Sequence, residues 1–165
     1  MLKDANWPGR PVRPAAPDDL PTLIQLCAAH AAFEHADPVP DDLATRLGTA
    51  LFSAPARLWC LVAESGGEVI GYATYTLDFS TWRGASYAHM DCLFVTEQHR
   101  GGGWGRRLLD NVVAAAAEAG AAEVQWQTPD WNTDAIRFYD RTGAQRRLKA
   151  RYLLSTHALP GRRAL

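Results

Sequence analysis

The sequence lacks the features that mark secreted, membrane-spanning and nucleic-acid-binding proteins. Its 165 residues include only three cysteines, an odd number without CxxC spacing, which favours reduced, buried thiols in a cytoplasmic protein. No apolar run approaches the roughly 18 residues of a membrane span, and the first residues show no export signal. The 17 basic side chains nearly balance 18 acidic ones, so no global field attracts nucleic acid or an anionic membrane. We therefore expect a cytoplasmic protein with neither of these partners.

Several sequence motifs of metal and nucleotide sites are also missing. The five histidines show neither metal-ligand spacing nor an HExxH pattern, so the sequence predicts no metal site. The dinucleotide fingerprint G-x-G-x-x-G fails because Arg106 stands where its third glycine would be, and no Gly-Lys-Ser/Thr of a Walker loop is present.

The length suits one domain, predicted to cover residues 1–165, with loose tails at 1–10 and 158–165. Alternating apolar residues and turn signals predict strands over 12–14, 58–63, 69–79, 86–95, 123–128 and 145–156. Helical spacing predicts a helix that follows Asp18 or Asp19 and breaks at 33–38, and others over about 41–53, from the glycine-rich turn to 119, and 132–142. This order indicates an α/β fold of the α+β type, with a mixed, mostly antiparallel sheet flanked by helices.

A glycine-rich turn joins the predicted strand that ends at Val95 to an alanine-rich helix. The turn reads Arg100-Gly101-Gly102-Gly103-Trp104-Gly105-Arg106-Arg107. A helix N-terminus leaves backbone N–H groups unsatisfied, and glycine lets the main chain approach an anion closely. The three arginines add positive charge. A flexible loop is the alternative, but the position between a strand and a helix favours a site for a ligand that carries phosphate.

Asp91 lies in the middle of the predicted strand before this turn. Alternation along a strand puts it on one face with Tyr87, His89, Leu93 and Val95, and puts Ala88, Met90, Cys92 and Phe94 on the other face. A β-bulge would break this parity. Because desolvating a carboxylate is costly, two interpretations stay open: a functional carboxylate, or a salt-bridged or edge-exposed one.

A second group of polar residues lies on the last predicted helix. Asn132 and Tyr139 are seven residues apart, close to two helical turns, so they share one face with Ile136 between them. On this pattern alone, Tyr139 is more often a packed tyrosine than a catalytic acid.

Two motifs resemble those of the GNAT superfamily of N-acetyltransferases. Arg100-x-x-Gly103-x-Gly105 after a strand resembles its acetyl-CoA-binding motif, and Asn132-x-x-Ala135-x-x-Phe138-Tyr139-x-x-x-Gly143-Ala144 resembles its second signature. The resemblance spans residues 12 to about 154 and implies the GNAT fold with acetyl-CoA as the co-substrate. It implies that acetyl-CoA is held by Leu93, Phe94, Val95, Arg100, Gly101, Gly102, Gly103, Trp104, Gly105, Arg106, Asn132, Ala135 and Tyr139. Trp104 is unusual, because an aliphatic residue normally stands there.

Further residues resemble the spermidine/spermine (diamine) acetyltransferase branch, which includes thialysine acetyltransferases. They are Phe79-x-x-Trp82-x-Gly84, Asp91, the Arg100 turn, Asp130-Trp131-Asn132 and Tyr139. The resemblance implies that Asp91 serves as base or binds the substrate amine, and that Tyr139 is the acid. It implies that Glu34 helps to hold a cationic substrate; Trp82 either walls the acceptor pocket or packs under its loop. The branch carries a glutamate at Asp91, so whether this shorter side chain acts directly or through water is open. A homodimer is also implied.

The resemblance implies acetyl transfer to a primary amine of a small molecule: a diamine, a polyamine or a lysine-like compound. The amine must lose a proton before it attacks the thioester. Asp91 can accept this proton, and Tyr139 can protonate the leaving thiolate. We favour direct attack over a covalent intermediate on Cys92. Two alternatives stay open: a GNAT enzyme for an aminoglycoside or protein amino group, and a non-catalytic acyl-CoA-binding sensor.

Overall fold

The computed structural model describes residues 11 to 156. The residues up to Pro129 and those from Asp130 onwards form two compact units. The tails predicted at 1–10 and 158–165 lie outside the described residues, and the assignment of one domain to the whole chain stays a prediction.

The first unit contains a five-stranded mixed sheet, which confirms the predicted fold class. Its strands are β1 (Val12–Pro14), β2 (Trp59–Ser65), β3 (Glu68–Ser80), β4 (Ala85–Val95) and β5 (Val124–Trp126). They lie in chain order; the first four are antiparallel neighbours, and β5 pairs parallel with β4. The proline-flanked β1 is an edge strand, as its missing N–H donors predict.

The described residues of the first unit contain three α-helices, and those of the second unit contain one. They are α1 (Leu20–Phe33), α2 (Leu43–Phe52), α3 (Trp104–Glu118) and, in the second unit, α4 (Thr133–Asp140). Among the described residues, none of these helices combines the length and hydrophobicity that crossing a bilayer would require.

The helices of the first unit cover the sheet on both faces. On one face, Leu23 and Leu26 of α1 pack into a buried cluster with Cys60, Val62, Tyr72 and Phe94 of the strands. Alternation turns Leu61 and Tyr75 to the opposite face, where α3 contacts β2, β3 and β4. The buried side of α3 consists of Leu108, Leu109, Val112, Ala115 and Ala116.

A β-bulge at Asp91 overturns the facing predicted for β4. Met90 pairs with Tyr75 and Cys92 pairs with Thr74, so two residues on β4 are separated by Asp91 while their partners on β3 are adjacent. The extra residue reverses the alternation. Cys92 therefore joins Phe94 on the α1 face, and Met90 lies on the other face.

The strand predicted over 145–156 is wrong. Within the described part of the second unit, residues 144–156 form neither strand nor helix. The segment contains four basic residues and no valine or isoleucine, two of the residues that favour strands. The predicted helix over 132–142 is also too long: α4 ends at Asp140, and Asn132 is its N-cap rather than its first residue.

Candidate active site

The turn before α3 needs glycine at two positions because of its backbone conformation. Gly101 and Gly103 have φ values of 79° and 80°, in the left-handed region that favours glycine. An added Cβ would meet no atom within 4 Å at either position, so crowding is not the reason. Gly103 is the N-cap of α3 and offers no side-chain cap to the N–H groups of the first helical turn. These amides and the helix dipole suit a phosphate or another anionic group.

The edge of β4 next to this turn offers further backbone donors. Pairing with β5 ends at Met90, so from Leu93 to Val95 no strand among the described residues covers that edge. Thr96 donates its N–H to Ile70 of β3 at 2.9 Å. Because successive N–H groups of a strand point to alternate sides, those of Leu93 and Val95 point to the open edge. An extended ligand can pair with such an edge as an added strand would.

The three arginines of the turn have different partners. Arg106 donates to both carboxylate oxygens of Asp110, at 2.8 and 3.0 Å, so its charge is largely compensated. Arg107 lies over the ring of Trp104, with 4.8 Å from its guanidinium carbon to the ring centroid. Arg100 donates to the carbonyl oxygen of Val95 at 3.0 Å. The predicted positive charge is therefore present, but much of it is engaged by neighbouring groups.

Trp104 explains the middle glycine of the turn. An added Cβ on Gly102 would lie 3.3 Å from Cδ1 of the Trp104 ring, closer than ordinary contact. The half-buried ring thus packs against the backbone of the turn on one side and carries Arg107. This is a structural role for Trp104, which the sequence did not supply.

Asp91, the predicted base, is exposed at the bulge. A bulge re-aims the side chain of its extra residue, which here lies just before the open edge of β4. The Cys92 thiol is 3.7 Å from its carboxylate. Burial, and then the charge of Asp91, raise the pKa of Cys92 to about 12. A thiol that stays protonated is a poor nucleophile, which supports direct attack over a Cys92 intermediate.

His30 is a residue of this region that sequence reasoning missed. Its Nδ1 lies 3.1 Å from the hydroxyl of Tyr72, and its Nε2 lies 3.5 Å from a carboxylate oxygen of Glu34. Its ring stacks on Phe94, with centroids 5.0 Å apart. The i, i+4 spacing of His30 and Glu34 could have indicated their contact, but the strand partners could not be read from the helix.

The charged groups around His30 include three of the predicted site residues. Burial lowers the pKa of His30, Glu34 and Asp91 oppose that shift, and Arg100 adds to it. Arg100 also lies over the Phe33 ring at 4.4 Å, at the end of α1 that bears Glu34. The structure therefore brings Glu34, Asp91 and Arg100 into electrostatic reach of one histidine.

The remaining predicted residues lie apart from this group or in the second unit. Trp82 is 99% exposed at the turn between β3 and β4, which excludes the alternative that it packs under its loop. In the second unit, the side-chain oxygen of Asn132 accepts the N–H of Ala135 at 3.1 Å and caps α4. Tyr139 is half-buried on α4, with its ring 5.0 Å from that of Phe138.

Comparison with known proteins agrees with these features. The sequence model of the Acetyltransferase (GNAT) family matches residues 23–144. A thialysine N-epsilon-acetyltransferase of Bos taurus is 27% identical over 142 residues, which is 81% of this chain and 83% of that protein. A D-amino-acid N-acetyltransferase of Saccharomyces cerevisiae is 30% identical over 105 residues, 62% of this chain and 65% of that protein.

Solved structures show the same fold. The crystal structure of an aminoglycoside acetyltransferase from an uncultured soil metagenomic sample superposes with a TM-score of 0.73 at 22% identity. The match covers 88% of this chain and 95% of that one. The structural neighbours show the fold, and the match to the family model identifies the chain as an acetyltransferase that belongs to the GNAT family, whose members use acetyl-CoA as co-substrate.

Proposed function

We propose that this protein transfers the acetyl group of acetyl-CoA to a primary amine of a small diamine, polyamine or lysine-like molecule by direct attack. The observation that carries the proposal is the open β4 edge, which leads into the amide-lined N-terminus of α3 and has the carboxylate of Asp91 at its start. Relatives named for thialysine and D-amino acids support a small amine as the acceptor.

The donor supplies an activated acetyl group as a thioester. The amides before and within the first turn of α3 hold its phosphates, and the N–H groups of Leu93 and Val95 face its extended arm. An N–H at this edge also stabilises the carbonyl oxygen on which negative charge develops. Positioning of both substrates supplies much of the rate.

The acceptor amine has to lose a proton, because an ammonium group with a pKa of about 10 carries no free electron pair at neutral pH. Exposed Asp91 attracts the ammonium and passes the proton to solvent, directly or through one water. Glu34 holds a second cationic group of the acceptor. Tyr139 protonates the leaving thiolate. The resemblance to the diamine branch supports these three roles.

The experiment is a turnover assay that follows thiol release from acetyl-CoA with a panel of amines. The panel contains diamines, lysine, D-amino acids, an aminoglycoside and a peptide with a free amino group. We expect the diamines and lysine to have the highest kcat/KM. A preference for the aminoglycoside or the peptide would move the acceptor to another class, and binding of acetyl-CoA without turnover would favour a sensor.

Asp91→Asn tests the base, with Asp78→Asn as its control because Asp78 is another exposed aspartate of the same sheet. We expect Asp91→Asn to lower kcat/KM by about 100-fold or more, the range of general acid–base catalysis, while the control keeps its activity. Equal activity of the two variants across the pH range would remove Asp91 from the proton path.

The resemblance also supports a homodimer, and the three widely separated cysteines support a cytoplasmic location. Sedimentation of the purified protein tests the first: a mass of two chains is expected, and a monomer at all concentrations would contradict it.

A further inference from the structure

His30 combines features that its place on a helix does not require. It lies in the last turn of α1, and its side chain is only 13% exposed. Both ring nitrogens face a polar partner, Tyr72 on one side and Glu34 on the other. Stacking on Phe94 fixes the ring plane. The imidazole is therefore held between the buried sheet and the carboxylate of Glu34, to which the proposed function assigns binding of the acceptor.

The partners determine where the proton of the neutral ring lies. A carboxylate can only accept, so Nε2 carries the hydrogen and points it at Glu34. Nδ1 is then an acceptor and receives the hydroxyl hydrogen of Tyr72. Burial raises the pKa of Tyr72 well above its usual range, so this hydroxyl keeps its proton. The result is a directed chain from Tyr72 through His30 to Glu34.

The charges that face His30 come from every element around it. Glu34 lies at the end of α1, Asp91 at the bulge of β4, and Arg100 in the turn before α3. The thiols of Cys27 and Cys92, near Tyr72, stay neutral because burial raises their pKa values. Burial lowers the pKa of His30 itself, and Glu34 opposes this shift. The ring is therefore neutral at neutral pH, and a proton added in acid lies directly against Glu34.

We propose that His30 is a positioning residue of the acceptor site, and that a proton on its ring competes with the second ammonium group of the acceptor for the carboxylate of Glu34. This inference rests on the proposed function and specifies it. Neutral His30 orients Glu34 toward a distal cation and leaves its charge available. Protonated His30 compensates that charge, so an acceptor with two cationic groups loses its advantage over an acceptor with one.

Linkage makes the proposal reciprocal. If protonation of His30 weakens binding of a diamine by some factor, binding of the diamine must raise the acid dissociation constant of His30 by the same factor, which lowers its pKa. A monoamine, which has no second cation for Glu34, leaves the pKa of His30 unchanged.

The first test is a histidine NMR titration of the full chain, with 1,4-diaminobutane and butylamine as the paired probes. The His30 signal is assigned from its loss in His30→Gln. We expect saturating diaminobutane to raise the acid dissociation constant of His30 by about fivefold or more, which lowers its pKa, and butylamine to leave the pKa unchanged. Glu34→Gln should lower the pKa of His30 without ligand and abolish the effect of diaminobutane. An unchanged pKa in both experiments would overturn the proposal.

The second test is the ratio of kcat/KM for diaminobutane to that for butylamine between pH 5.5 and 8. Both amines are fully protonated in this range, about two units or more below their pKa of roughly 10, so titration of the reacting amine cancels in the ratio. We expect the ratio to fall in acid for the native protein and to be flat for His30→Gln. A merely structural role would change both amines alike and would leave the native ratio flat.

The two proposals fail in different ways. Turnover of diaminobutane with a pH-independent ratio overturns the role of His30 and leaves the function intact. Absence of turnover with every amine overturns the function. In that case a fall of the His30 pKa on addition of diaminobutane would still support the competition at Glu34. An unchanged His30 pKa would overturn the competition as well.

Discussion

Replacing Gly103 by alanine tests whether the turn before α3 binds the donor. Gly103 has a φ of 80° and is the N-cap of α3, with open space around its Cα. Alanine fits that space, so the only penalty is the left-handed conformation, which costs about 1–2 kcal/mol for a residue with a Cβ. If the free turn adopts another conformation that lacks this strain, binding of acetyl-CoA must restore the left-handed conformation of residue 103 and meet its cost. Since 1.4 kcal/mol is tenfold in affinity, we expect the Kd for acetyl-CoA to rise by about 5-fold to 30-fold.

Gly67→Ala is the matched control. Gly67 lies in the hairpin between β2 and β3 with a φ of 84°, and an added Cβ there also meets nothing within 4 Å. Both variants should lose a similar free energy of unfolding, and the Tm should fall by about 2–8 °C in each. Only Gly103→Ala should weaken acetyl-CoA binding, measured by calorimetry. Gly103→Asn should lie between, because asparagine tolerates this conformation better than alanine.

Equal affinities of Gly103→Ala and Gly67→Ala for acetyl-CoA, together with equal losses of stability, would contradict this prediction. The amides of the turn would then not contact the donor. A loss of affinity in both variants would instead indicate a general effect of lowered stability.

Three further predictions follow from particular contacts. Tyr139→Phe should lower kcat by about 100-fold or more and change the Kd of acetyl-CoA far less, if this hydroxyl is the acid; unchanged turnover would contradict that role. Gly71→Ala should cost about 1–3 kcal/mol in chemical denaturation, because its Cβ would lie 2.6 Å from a backbone carbonyl oxygen of β4. Gly48→Ala is its control: the Cβ would meet only the end of a flexible leucine side chain at 3.1 Å, and alanine favours the helix by about 0.8–1.0 kcal/mol. Burial lowers the pKa of His30 in the folded protein, so the unfolded chain binds a proton at this imidazole more tightly. The free energy of unfolding should therefore fall as the pH drops from about 6.5 through the folded-state pKa. In His30→Gln this loss should be smaller, and an identical pH profile would contradict the assignment.

Local signals predicted most of the fold. The glycine-rich turn and α3 follow from a helical pattern, glycine chemistry and a preceding apolar strand, all within one stretch of chain. The hairpin at Gly66 and Gly67 likewise follows from turn residues, and both have positive φ. Such features depend on near neighbours, which the sequence displays directly.

Features that depend on pairing between distant residues were harder to predict. The bulge at Asp91 arises from the register with β3, so the facing of Met90 and Cys92 could not be derived from alternation alone. The strand expected over 145–156 depended on a partner that the described residues do not supply.

The contacts of His30 show the same limit for the site. Its partners Tyr72 and Phe94 lie more than forty residues away along the chain, in strands whose order the sequence does not reveal. Only the i, i+4 contact with Glu34 was visible in advance. The group of charges around His30 therefore emerged from the structure, whereas the glycine-rich turn before α3 emerged from the sequence.

Calorimetric titration of the native protein with acetyl-CoA, repeated with Gly103→Ala, shows whether the turn before α3 binds the donor. We expect saturable one-site binding of acetyl-CoA to the native protein and a weaker affinity in the variant. Absence of binding heat at several temperatures, or affinity that is indifferent to residue 103, would contradict it.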